Sequence, residues 1–517
     1  MAGAEGDKPV NYLIGIDLGT SGTKTVLFDQ NGAAIASATV EYPLYQPKNG
    51  WAEQEPSDWW QAAAATVRRV IDESGVAPEA IKGVGLSGQM HGLVMLDEAG
   101  EPLRRSIIWC DGRTSQECEE ITALVGRQRL IEITANPALT GFTASKILWV
   151  RRHEPKLYAK CRHILLPKDY IRYQLTGEFA TEVSDASGMN LLDVPNRCWS
   201  GEILEKLEID GALLAKMYES CEVTGQITPR AAALTGLAAG TPVVGGAGDN
   251  AAAAVGTGVV ERGRAFTTIG TSGVVFAHSD RVTIDPQGRV HTFCSAVPGA
   301  WTVMSCTLAA GLSLKWLRDQ FFPEEMKTAE GMGVDPYFLM DQQAGRVPIG
   351  ANRLIFLPYL MGERSPLLDE NSRGVFFGLS AIHTKYDLLR AVMEGVTYSQ
   401  RQCLDVLRGM GVVSTEMLAC GGGGSSPLWR QMLADIYGCG ISPVVSREGP
   451  ALGVALLAGV GAGVYGSVPE ACAAVIEYGP AQMPDGERHR RYGEFYDLYR
   501  QLYPALKPLY AQLGALA

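Results

Sequence analysis

The tetrapeptide Gly-Thr-Ser-Gly occurs twice in this chain, at Gly19–Gly22 and at Gly270–Gly273. Each copy joins two apolar segments that have the composition of β-strands. One tetrapeptide recurs easily by chance among 60 glycines, but recurrence at the same structural place in each half is a stronger signal. A duplicated domain explains the pattern, and two facing halves would bring both turns to one cleft, where ligands commonly bind.

The length of 517 residues also requires at least two domains, because single hydrophobic cores stop growing well below that size. We place the boundary so that the domains cover residues 11–242 and 243–517. Strands and helices alternate along the chain, which favours an α/β fold with mixed sheets. The predicted elements are strands at Tyr12–Asp17, Thr23–Asp29, Ala33–Val40, Ile81–Leu86, Ala265–Ile269 and Val274–Ala277, a hairpin turn at Gln30–Gly32, and a helix carrying Trp59, Ala63, Val67 and Val70.

Composition limits the partners and the compartment. The net charge of −11 disfavours a non-specific binder of nucleic acid or of an anionic membrane, since either would need a basic surface. The 11 cysteines are scattered without metal-ligand spacing, and Met1–Val10 is polar, so we expect a reduced, cytoplasmic chain. Gly453–Gly466 is too short and glycine-rich to span a membrane and predicts a buried helix that packs closely against a neighbour.

The first turn is a candidate phosphate site. A turn of glycine and small hydroxyl residues can point backbone N–H groups into a concavity that holds phosphate. Asp17, at the end of the preceding strand, could hold Mg²⁺ through water, because Mg²⁺ keeps several waters and takes few carboxylates. The alternative is a tight hairpin with a solvated acid. The chain has no Gly-x4-Gly-Lys-Ser/Thr motif, which disfavours a P-loop kinase.

Asp249 and Asn250 precede the alanine run Ala251–Ala254, and two interpretations stay open. Aspartate in this place is a good helix N-cap that satisfies free backbone amides. It could also stand at the cleft and accept a proton from a hydroxyl nucleophile. In that case the helix N-terminus is expected to lower the pKa of Asp249 and keep it ionised.

Two more segments combine glycine with polar groups. The run Gly421–Gly424 lies between the apolar residues Met417–Ala419 and a predicted helix, so it could admit a nucleotide close to the backbone; a flexible connection is the alternative. The segment Ser87–Gly92 follows a strand, and its glutamine and histidine could bind sugar hydroxyls; a polar loop with a satisfied histidine is the alternative. A similar polar cluster, Trp109, Asp111 and Arg113, follows another strand.

Taken together, these segments resemble the FGGY carbohydrate kinases over nearly the whole chain. The first phosphate loop of that family is similar to residues 13–32, the sugar-binding segment to GLSGQMHG (85–92), and the catalytic-base loop to GAGDNAAAAVG (246–256). The remaining matching segments are GFTASKILWVRRHEP (141–155), LPKDYIRYQLTGEFATEVSDASG (166–188), PYLMGERSP (358–366), RGVFFGLSAIHTKYDLLRAVMEG (373–395) and GGGGSSPLWRQMLAD (421–435). Within the family, the resemblance is strongest to the members that phosphorylate D-xylulose.

The resemblance implies two actin-like (ribonuclease H-like) domains with mixed sheets around a central cleft. It implies transfer of a phosphoryl group from ATP to D-xylulose, with Asp249 as general base and Asp17 as the second carboxylate, associated with Mg²⁺. By the same resemblance, the ketose contacts are Gln89, Met90, His91, Asp249 and Asn250. The implied nucleotide contacts are Gly19, Thr20, Ser21, Thr23, Gly270, Thr271, Gly421, Gly422 and Gly423.

Other functions remain open. The Arg–Glu pair that glycerol kinases carry in their sugar loop is missing, since Met90 and His91 stand there, which disfavours glycerol but leaves other pentuloses, polyols and gluconate. An actin-like ATPase that does not act on sugars would share the phosphate loops but not the sugar segment. A catalytically silent sugar sensor is disfavoured by the presence of both Asp17 and Asp249. The helical segment Glu487–Leu516 either caps a domain or joins a homodimer.

Overall fold

The structure is a computed structural model that describes residues 10–412, 414–446 and 448–516. The first nine residues of the polar N-terminal segment lie outside the described part. The strands are β1 (Tyr12–Leu18), β2 (Gly22–Asp29), β3 (Ala34–Glu41), β4 (Glu53–Gln54), β5 (Ile81–Gly88), β6 (Val94–Leu96), β7 (Ser106–Ile107), β8 (His163–Leu165), β9 (Ala180–Glu182), β10 (Leu192–Asp193), β11 (Cys198–Trp199), β12 (Lys216–Tyr218), β13 (Val223–Gln226), β14 (Pro242–Val244), β15 (Ala247–Gly248), β16 (Arg264–Ile269), β17 (Gly273–Ser279), β18 (His291–Cys294), β19 (Trp301–Thr307), β20 (Ile355–Leu357), β21 (Val375–Phe377), β22 (Glu416–Cys420) and β23 (Gly440–Pro443).

Helices cover much of the remaining chain. They are α1 (Pro56–Ser74), α2 (Ser115–Val125), α3 (Arg127–Thr134), α4 (Thr143–His153), α5 (Pro155–Tyr158), α6 (Pro167–Thr176), α7 (Val183–Ala186), α8 (Gly201–Lys206), α9 (Pro229–Thr235), α10 (Asp249–Gly256), α11 (Gly311–Phe321), α12 (Pro323–Met332), α13 (Pro336–Ala344), α14 (Lys385–Gly409), α15 (Gly421–Gly424), α16 (Pro427–Tyr437), α17 (Gly449–Gly461), α18 (Val468–Val475) and α19 (Gly486–Gly514). Short 3-10 turns lie at Pro78–Ala80, Ser187–Met189 and Gly211–Leu213. None of the described helices is long and apolar enough to cross a membrane.

Two large mixed sheets repeat one arrangement of strands. In the first, ordered β13-β14-β5-β1-β2-β3, the hairpin β1–β2 is antiparallel and β5 runs parallel to β1. In the second, ordered β18-β19-β17-β16-β22-β23, the hairpin β16–β17 is antiparallel and β22 runs parallel to β16. Each Gly-Thr-Ser-Gly turn therefore connects the hairpin strands next to the parallel strand. The predicted α/β fold with a duplicated strand–turn–strand is confirmed.

Most predicted elements have nearly the predicted bounds, and one differs in kind. The turn at Gln30–Gly32 closes the hairpin β2–β3, and Gly32 has the positive φ of 82° that such a turn needs. The glycine run Gly421–Gly424, for which a flexible connection was the alternative interpretation, forms one helical turn, and Ser426 caps the helix α16 that follows. The predicted domain boundary after residue 242 remains a prediction; β14, which begins at Pro242, pairs with β5 in the first sheet.

Helix α17 joins the two halves. It begins after the second sheet, yet it packs on strands β1 and β5 of the first sheet. A Cβ atom on Gly85 of β5 would lie 1.9 Å from the Val454 carbonyl oxygen, and one on Gly453 would lie 1.9 Å from the Ala252 carbonyl oxygen. The predicted buried helix with close neighbours is confirmed, although it ends at Gly461 because Gly463 turns the chain with a positive φ of 74°.

The C-terminal helix α19 packs on α16 and β20 in the second half of the molecule. Its inner face buries five tyrosines in the large core of that half: Tyr492, Tyr496, Tyr499, Tyr503 and Tyr510. Tyr499 shares a hydrogen bond of 3.0 Å with Tyr359, next to β20. The helix therefore caps a domain, which is one of its two predicted roles; its part in a homodimer remains a prediction.

Candidate active site

Three neighbouring strands of the first sheet bring the two candidate carboxylates to one edge. Asp17 on β1 lies beside Ser87 on β5, and Ser87 lies beside Ala247 on β15. Helix α10 begins two residues after Ala247, at Asp249. The charge on Asp17 contributes to raising the pKa of Asp249, so the two carboxylates are close enough to interact. Residues far apart in sequence thus form one acidic site at the cleft.

Asp249 is the first residue of α10 rather than its cap. The N-cap is Gly248, and no side chain caps the helix. The Asp249 Oδ1 atom instead accepts hydrogen bonds from the backbone N and the side-chain Nδ2 of Asn250, at 2.7 and 2.9 Å. The N-cap interpretation is therefore wrong, because the carboxylate turns toward its neighbour and away from the amides one turn on.

The expected pKa of Asp249 is also wrong. Burial, followed by the negative charge of Asp17, raises the pKa of Asp249 to about 6, and the hydrogen bonds from Asn250 only partly oppose this rise. The helix N-terminus does not outweigh desolvation, since the carboxylate makes no cap bond. A carboxylate with this pKa is a stronger base than a solvated aspartate and is still mostly ionised near neutral pH.

The surroundings of Asp17 suit a hydrated cation. Burial raises the pKa of Asp17, and the Ser87 hydroxyl and the Lys24 ammonium only partly oppose it. The Ser87 hydroxyl is buried on the strand beside Asp17 and lies close to its carboxylate. Within the described residues, no group of three or more His, Cys, Asp or Glu side chains could hold a metal ion. One carboxylate with a nearby hydroxyl fits Mg²⁺ that arrives with a substrate phosphate and keeps its waters.

The candidate sugar segment lies against the same edge. Met90 and Gly248 are in close contact, because a Cβ atom on Gly248 would lie 2.8 Å from Met90 Cγ. His91 has a positive φ of 70°, and its ring stacks on Phe142 with 4.5 Å between ring centres. Its Nδ1 lies 2.9 Å from the Gly188 carbonyl oxygen, which can only accept a hydrogen bond.

His91 is therefore a neutral hydrogen-bond acceptor. The carbonyl partner requires the proton on Nδ1, which leaves Nε2 with a free lone pair. Burial and then the nearby Lys146 ammonium lower the pKa of His91 to about 3, so the ring stays uncharged across the physiological range. A neutral imidazole with a free Nε2 can accept a hydrogen bond from a sugar hydroxyl.

Gln89 connects two loops. Its Nε2 donates to Gln54 Oε1 at 2.7 Å and approaches the Gly19 carbonyl oxygen at 3.5 Å, and its Oε1 lies 3.5 Å from Thr20 Oγ1. The side chain is buried, so it ties the sugar segment to the first turn. Its direct contact with a substrate remains a prediction.

The first turn is held by surrounding side chains. Thr20 accepts hydrogen bonds from Gln54 at its carbonyl oxygen (2.7 Å) and from Trp109 Nε1 at its hydroxyl (2.9 Å), while the Tyr42 hydroxyl donates to the Gly19 carbonyl oxygen. Ser21 is exposed at the tip of the turn. The polar cluster predicted after a strand thus contributes Trp109 to this turn.

The second turn and the glycine run line a separate cavity of about 540 Å³. Gly270, Thr271, Gly422 and Gly423 form one wall, whereas Gly421 faces a neighbouring cavity of about 680 Å³. The opposite wall was not predicted and carries Lys315, Asp335, Tyr337, Phe338 and Asp341. Aromatic faces and carboxylates opposite glycine backbone suit a planar base with exocyclic amino groups.

Lys146 is a second feature that sequence reasoning missed. Its ammonium is buried and donates to the carbonyl oxygens of His91 and Gly141, at 2.8 and 2.7 Å. Burial lowers the pKa of Lys146 to about 7. A lysine placed among apolar helix residues was the available signal, since such a residue needs buried partners. These bonds hold the backbone of the sugar segment.

Comparison with known proteins identifies the family of this chain. Residues 12–256 match the model of the FGGY family of carbohydrate kinases, N-terminal domain, and residues 265–462 match the C-terminal domain of the same family. The chain belongs to the FGGY family of carbohydrate kinases. Members of this family use ATP as phosphoryl donor, generally with Mg²⁺.

Individual relatives resemble it along almost their full length. Xylulose kinase of Bacillus subtilis is 38% identical over 500 residues, which cover 97% of this chain and 98% of the relative. Xylulose kinase of Escherichia coli is 39% identical, covering 96% of this chain and 100% of the relative. The crystal structure of a xyloylose kinase from Brucella ovis is 35% identical with a TM-score of 0.88, covering 96% and 100%.

Proposed function

We propose that this carbohydrate kinase transfers the γ-phosphoryl group of ATP to D-xylulose and forms ADP and D-xylulose 5-phosphate. The observation that carries the proposal is the Asp249 carboxylate, which has a pKa raised to about 6 and directly follows Gly248, the residue in close contact with Met90 of the sugar segment. The full-length relatives named xylulose kinase support the choice of sugar.

In the proposed reaction Asp249 is the general base. It takes the proton of the reacting sugar hydroxyl as that oxygen approaches the γ-phosphorus. Asn250 holds the carboxylate through two hydrogen bonds, so one oxygen, Oδ2, stays free for the proton. A base of modest strength suffices, because the transition state of phosphoryl transfer is loose and most catalysis comes from positioning and charge stabilisation.

The ketose is proposed to lie against Met90 and His91. The apolar thioether of Met90 gives a surface for the carbon chain, while the free Nε2 of His91 accepts a hydroxyl hydrogen. Because Lys146 holds the His91 carbonyl oxygen, this acceptor keeps one orientation. Gln89 then transmits the position of the sugar segment to the first turn.

The nucleotide is proposed to occupy the cavity between the second turn and the glycine run. Tyr337 and Phe338 would face the base, and the backbone of Gly270, Thr271, Gly422 and Gly423 would face the sugar and phosphates. The first turn, with Gly19, Thr20, Ser21 and Thr23, would receive the terminal phosphate. Gly421, the first residue of the glycine run, would face the neighbouring cavity.

Asp17 is the proposed carboxylate for Mg²⁺, with the neighbouring Ser87 hydroxyl available to the waters of the ion. When bound, the ion supplies positive charge that offsets the phosphate oxygens. Residues 11–242 would then carry the sugar and metal groups, and residues 243–517 the base and the nucleotide. We also propose a cytoplasmic location, since ATP is the donor and all eleven cysteines are free thiols.

A panel of acceptors tests the proposal. ADP release is measured with D-xylulose, ribulose, other pentuloses, polyols, glycerol and gluconate, with Asp249→Ala as the background control. We expect the highest kcat/KM with D-xylulose. A higher kcat/KM with gluconate or another ketose would reassign the sugar, and ATP hydrolysis indifferent to every sugar would favour an actin-like ATPase.

A further inference from the structure

The segment Glu363–Ser365 lies at the edge of the second sheet where the second Gly-Thr-Ser-Gly turn emerges. The Ser365 backbone N donates to the Cys306 carbonyl oxygen at 3.1 Å. Cys306, on β19, pairs with Val274, the residue that directly follows this turn. Arg364 therefore stands at the rim of the cleft on the side of the second turn.

Buried hydrogen bonds fix the backbone of Arg364. The Glu363 carboxylate is buried, and its Oε1 accepts the backbone N–H groups of Leu308 and Arg364 at 2.9 and 2.8 Å. The Ser365 hydroxyl donates to the Arg289 carbonyl oxygen at 2.8 Å, two residues before His291. These bonds hold the segment on both sides, so the Arg364 side chain starts from a fixed point.

The Arg364 side chain itself is exposed, and its polar contacts within the described residues bear on its role. Across the described residues, its guanidinium forms no salt bridge and no hydrogen bond. Yet its charge reaches the sugar side of the cleft, because it contributes to lowering the pKa of both His91 and His291. Arg364 is thus a cation without a partner among the described residues; its backbone lies on the side of the second turn, and its charge acts on two histidines, one of them in the sugar segment.

The second histidine near Arg364, His291, is uncharged. Asn136 Nδ2 donates to the carbonyl oxygens of Thr134 and Thr292, so Asn136 Oδ1 accepts from His291 Nδ1 at 2.8 Å. Burial lowers the pKa of His291 to about 3, so its ring is neutral like that of His91, and with the proton on Nδ1 each ring has an unprotonated Nε2. The hydroxyl groups of a neutral sugar can donate hydrogen bonds to these two nitrogens. Neither histidine carries a negative charge, so neither forms an ion pair with the Arg364 guanidinium.

We propose that the Arg364 guanidinium binds the γ-phosphoryl group during its transfer and is a further catalytic residue of this kinase. The inference rests on the proposed function. In the step, the sugar hydroxyl oxygen forms a bond to the γ-phosphorus, the bond from that phosphorus to the β,γ-bridging oxygen breaks, and its electron pair leaves with ADP. The hydroxyl proton passes to Asp249. Arg364 stabilises the charge on the equatorial oxygens while both bonds are partial.

Arginine suits this role for two reasons. Its planar guanidinium offers five N–H donors in a fork that matches phosphate oxygens, and it stays charged at any pH at which the enzyme works. A single such cation on a transferring phosphoryl group lowers the barrier substantially in other phosphotransferases. Its attachment to the second half also means that it meets a sugar bound to the first half only across the cleft.

The test compares Arg364→Ala and Arg364→Lys with the control Arg281→Ala. Arg281 is also an exposed arginine. It lies two residues after the C-terminal end of β17, and the second Gly-Thr-Ser-Gly turn lies at the opposite end of that strand. At saturating substrates, we expect Arg364→Ala to lower kcat by about 10²-fold or more. Arg364→Lys should retain more activity, and Arg281→Ala should change kcat by less than about twofold. The equilibrium dissociation constant of the sugar alone, from calorimetry, should be unchanged in all three.

Two further readouts separate this role from others. Guanidinium chloride, added well below denaturing concentrations, should partly restore kcat to Arg364→Ala but not to Asp249→Ala. The Tm of each variant, measured without this salt, should equal that of the wild type. A normal kcat in Arg364→Ala would overturn the proposal, as would a loss explained entirely by weaker sugar binding. The assay uses whichever sugar the wild-type enzyme phosphorylates, so a wrong sugar does not affect it, whereas a wild type that phosphorylates none overturns the proposed function as well.

Discussion

In the first half of the molecule, side chains hold the carbonyl groups of the first two residues of the Gly-Thr-Ser-Gly turn, whereas in the second half backbone amides hold the corresponding two carbonyl groups. The Gly19 and Thr20 carbonyl oxygens accept from Tyr42 and Gln54. The Gly270 carbonyl oxygen accepts from Gly311, at 2.7 Å, and the Thr271 carbonyl oxygen accepts from Leu312 and Ala310, both at 3.1 Å. One turn is set among polar side chains and the other is fastened to the start of α11.

This difference assigns different chemistry to two similar backbones. Two residues before the first turn stands Asp17, and two residues before the second stands Thr268. The first turn shares its surroundings with an acid and with the sugar segment, whereas the second opens onto the cavity of about 540 Å³. In the proposed function, the residues around the first turn therefore bind the metal ion and the acceptor sugar, and those around the second bind the nucleotide.

Substituting the residue two positions before each turn should give the largest contrast. We expect Asp17→Asn to lower kcat by about 10²–10³-fold, because it removes the proposed charge for Mg²⁺. Thr268→Val keeps the shape of the side chain and should change kcat by less than about twofold. Steady-state kinetics over a range of Mg²⁺ concentrations measure both variants. Equal losses in the two would mean that the turns are chemically alike.

The raised pKa of Asp249 should also be visible in the pH profile of the reaction. Asp249 must be ionised to act as a base, and its pKa is raised from 3.8 to about 6. Activity should therefore be present above pH 6, and kcat/KM should fall by about tenfold per pH unit below it. Because Asp17 contributes to the rise, the residual activity of Asp17→Asn should show this fall at lower pH. A profile that stays flat down to pH 4 would contradict the role of Asp249.

The last glycine of each turn gives a smaller contrast. A Cβ atom on Gly22 would lie 2.7 Å from the Val40 backbone oxygen, whereas one on Gly273 would meet the side-chain atoms Gln400 Nε2 and Thr307 Oγ1, at 2.6 and 2.7 Å. Side chains yield more easily than backbone, so Gly22→Ala should cost about 1–3 kcal/mol of unfolding free energy and Gly273→Ala less.

Thermal unfolding measures this difference, with Gly270→Ala as control. A Cβ atom on Gly270 would lie 3.6 Å from the Ser272 oxygen, which is ordinary contact. Gly273→Ala should also raise the KM for ATP, since Gly273 ends the turn that lines the proposed nucleotide cavity. A larger loss of stability in Gly273→Ala than in Gly22→Ala would reverse the expected order.

The local pattern of the fold could be predicted because it depends on short stretches of sequence. Apolar alternation and the turn at Gln30–Gly32 predicted strands that the structure places within one or two residues of the expected ends. The repeated tetrapeptide predicted the duplicated hairpins. The crossing of α17 to the first sheet could not be predicted, because it depends on glycines in separate strands that allow close approach of the helix, such as Gly15 and Gly85.

The chemistry of the site was predicted less well, since it depends on tertiary surroundings. Asp249 was expected to have a lowered pKa from the helix alone, but burial and Asp17 outweigh that effect. The bonds of Lys146 to the sugar segment come from a helix more than 50 residues further along the chain. The wall with Tyr337 and Phe338 carries no motif, so only the folded chain brings it opposite the glycine run.

The measurement that tests the central claim most directly is kcat of Asp249→Ala, with Asn250→Ala as the control that keeps the carboxylate. We expect Asp249→Ala to lower kcat by about 10²–10⁴-fold and Asn250→Ala to lower it less. Tm should change little in Asp249→Ala, because within the protein this carboxylate bonds only to Asn250. A near-normal kcat in folded Asp249→Ala would contradict the account.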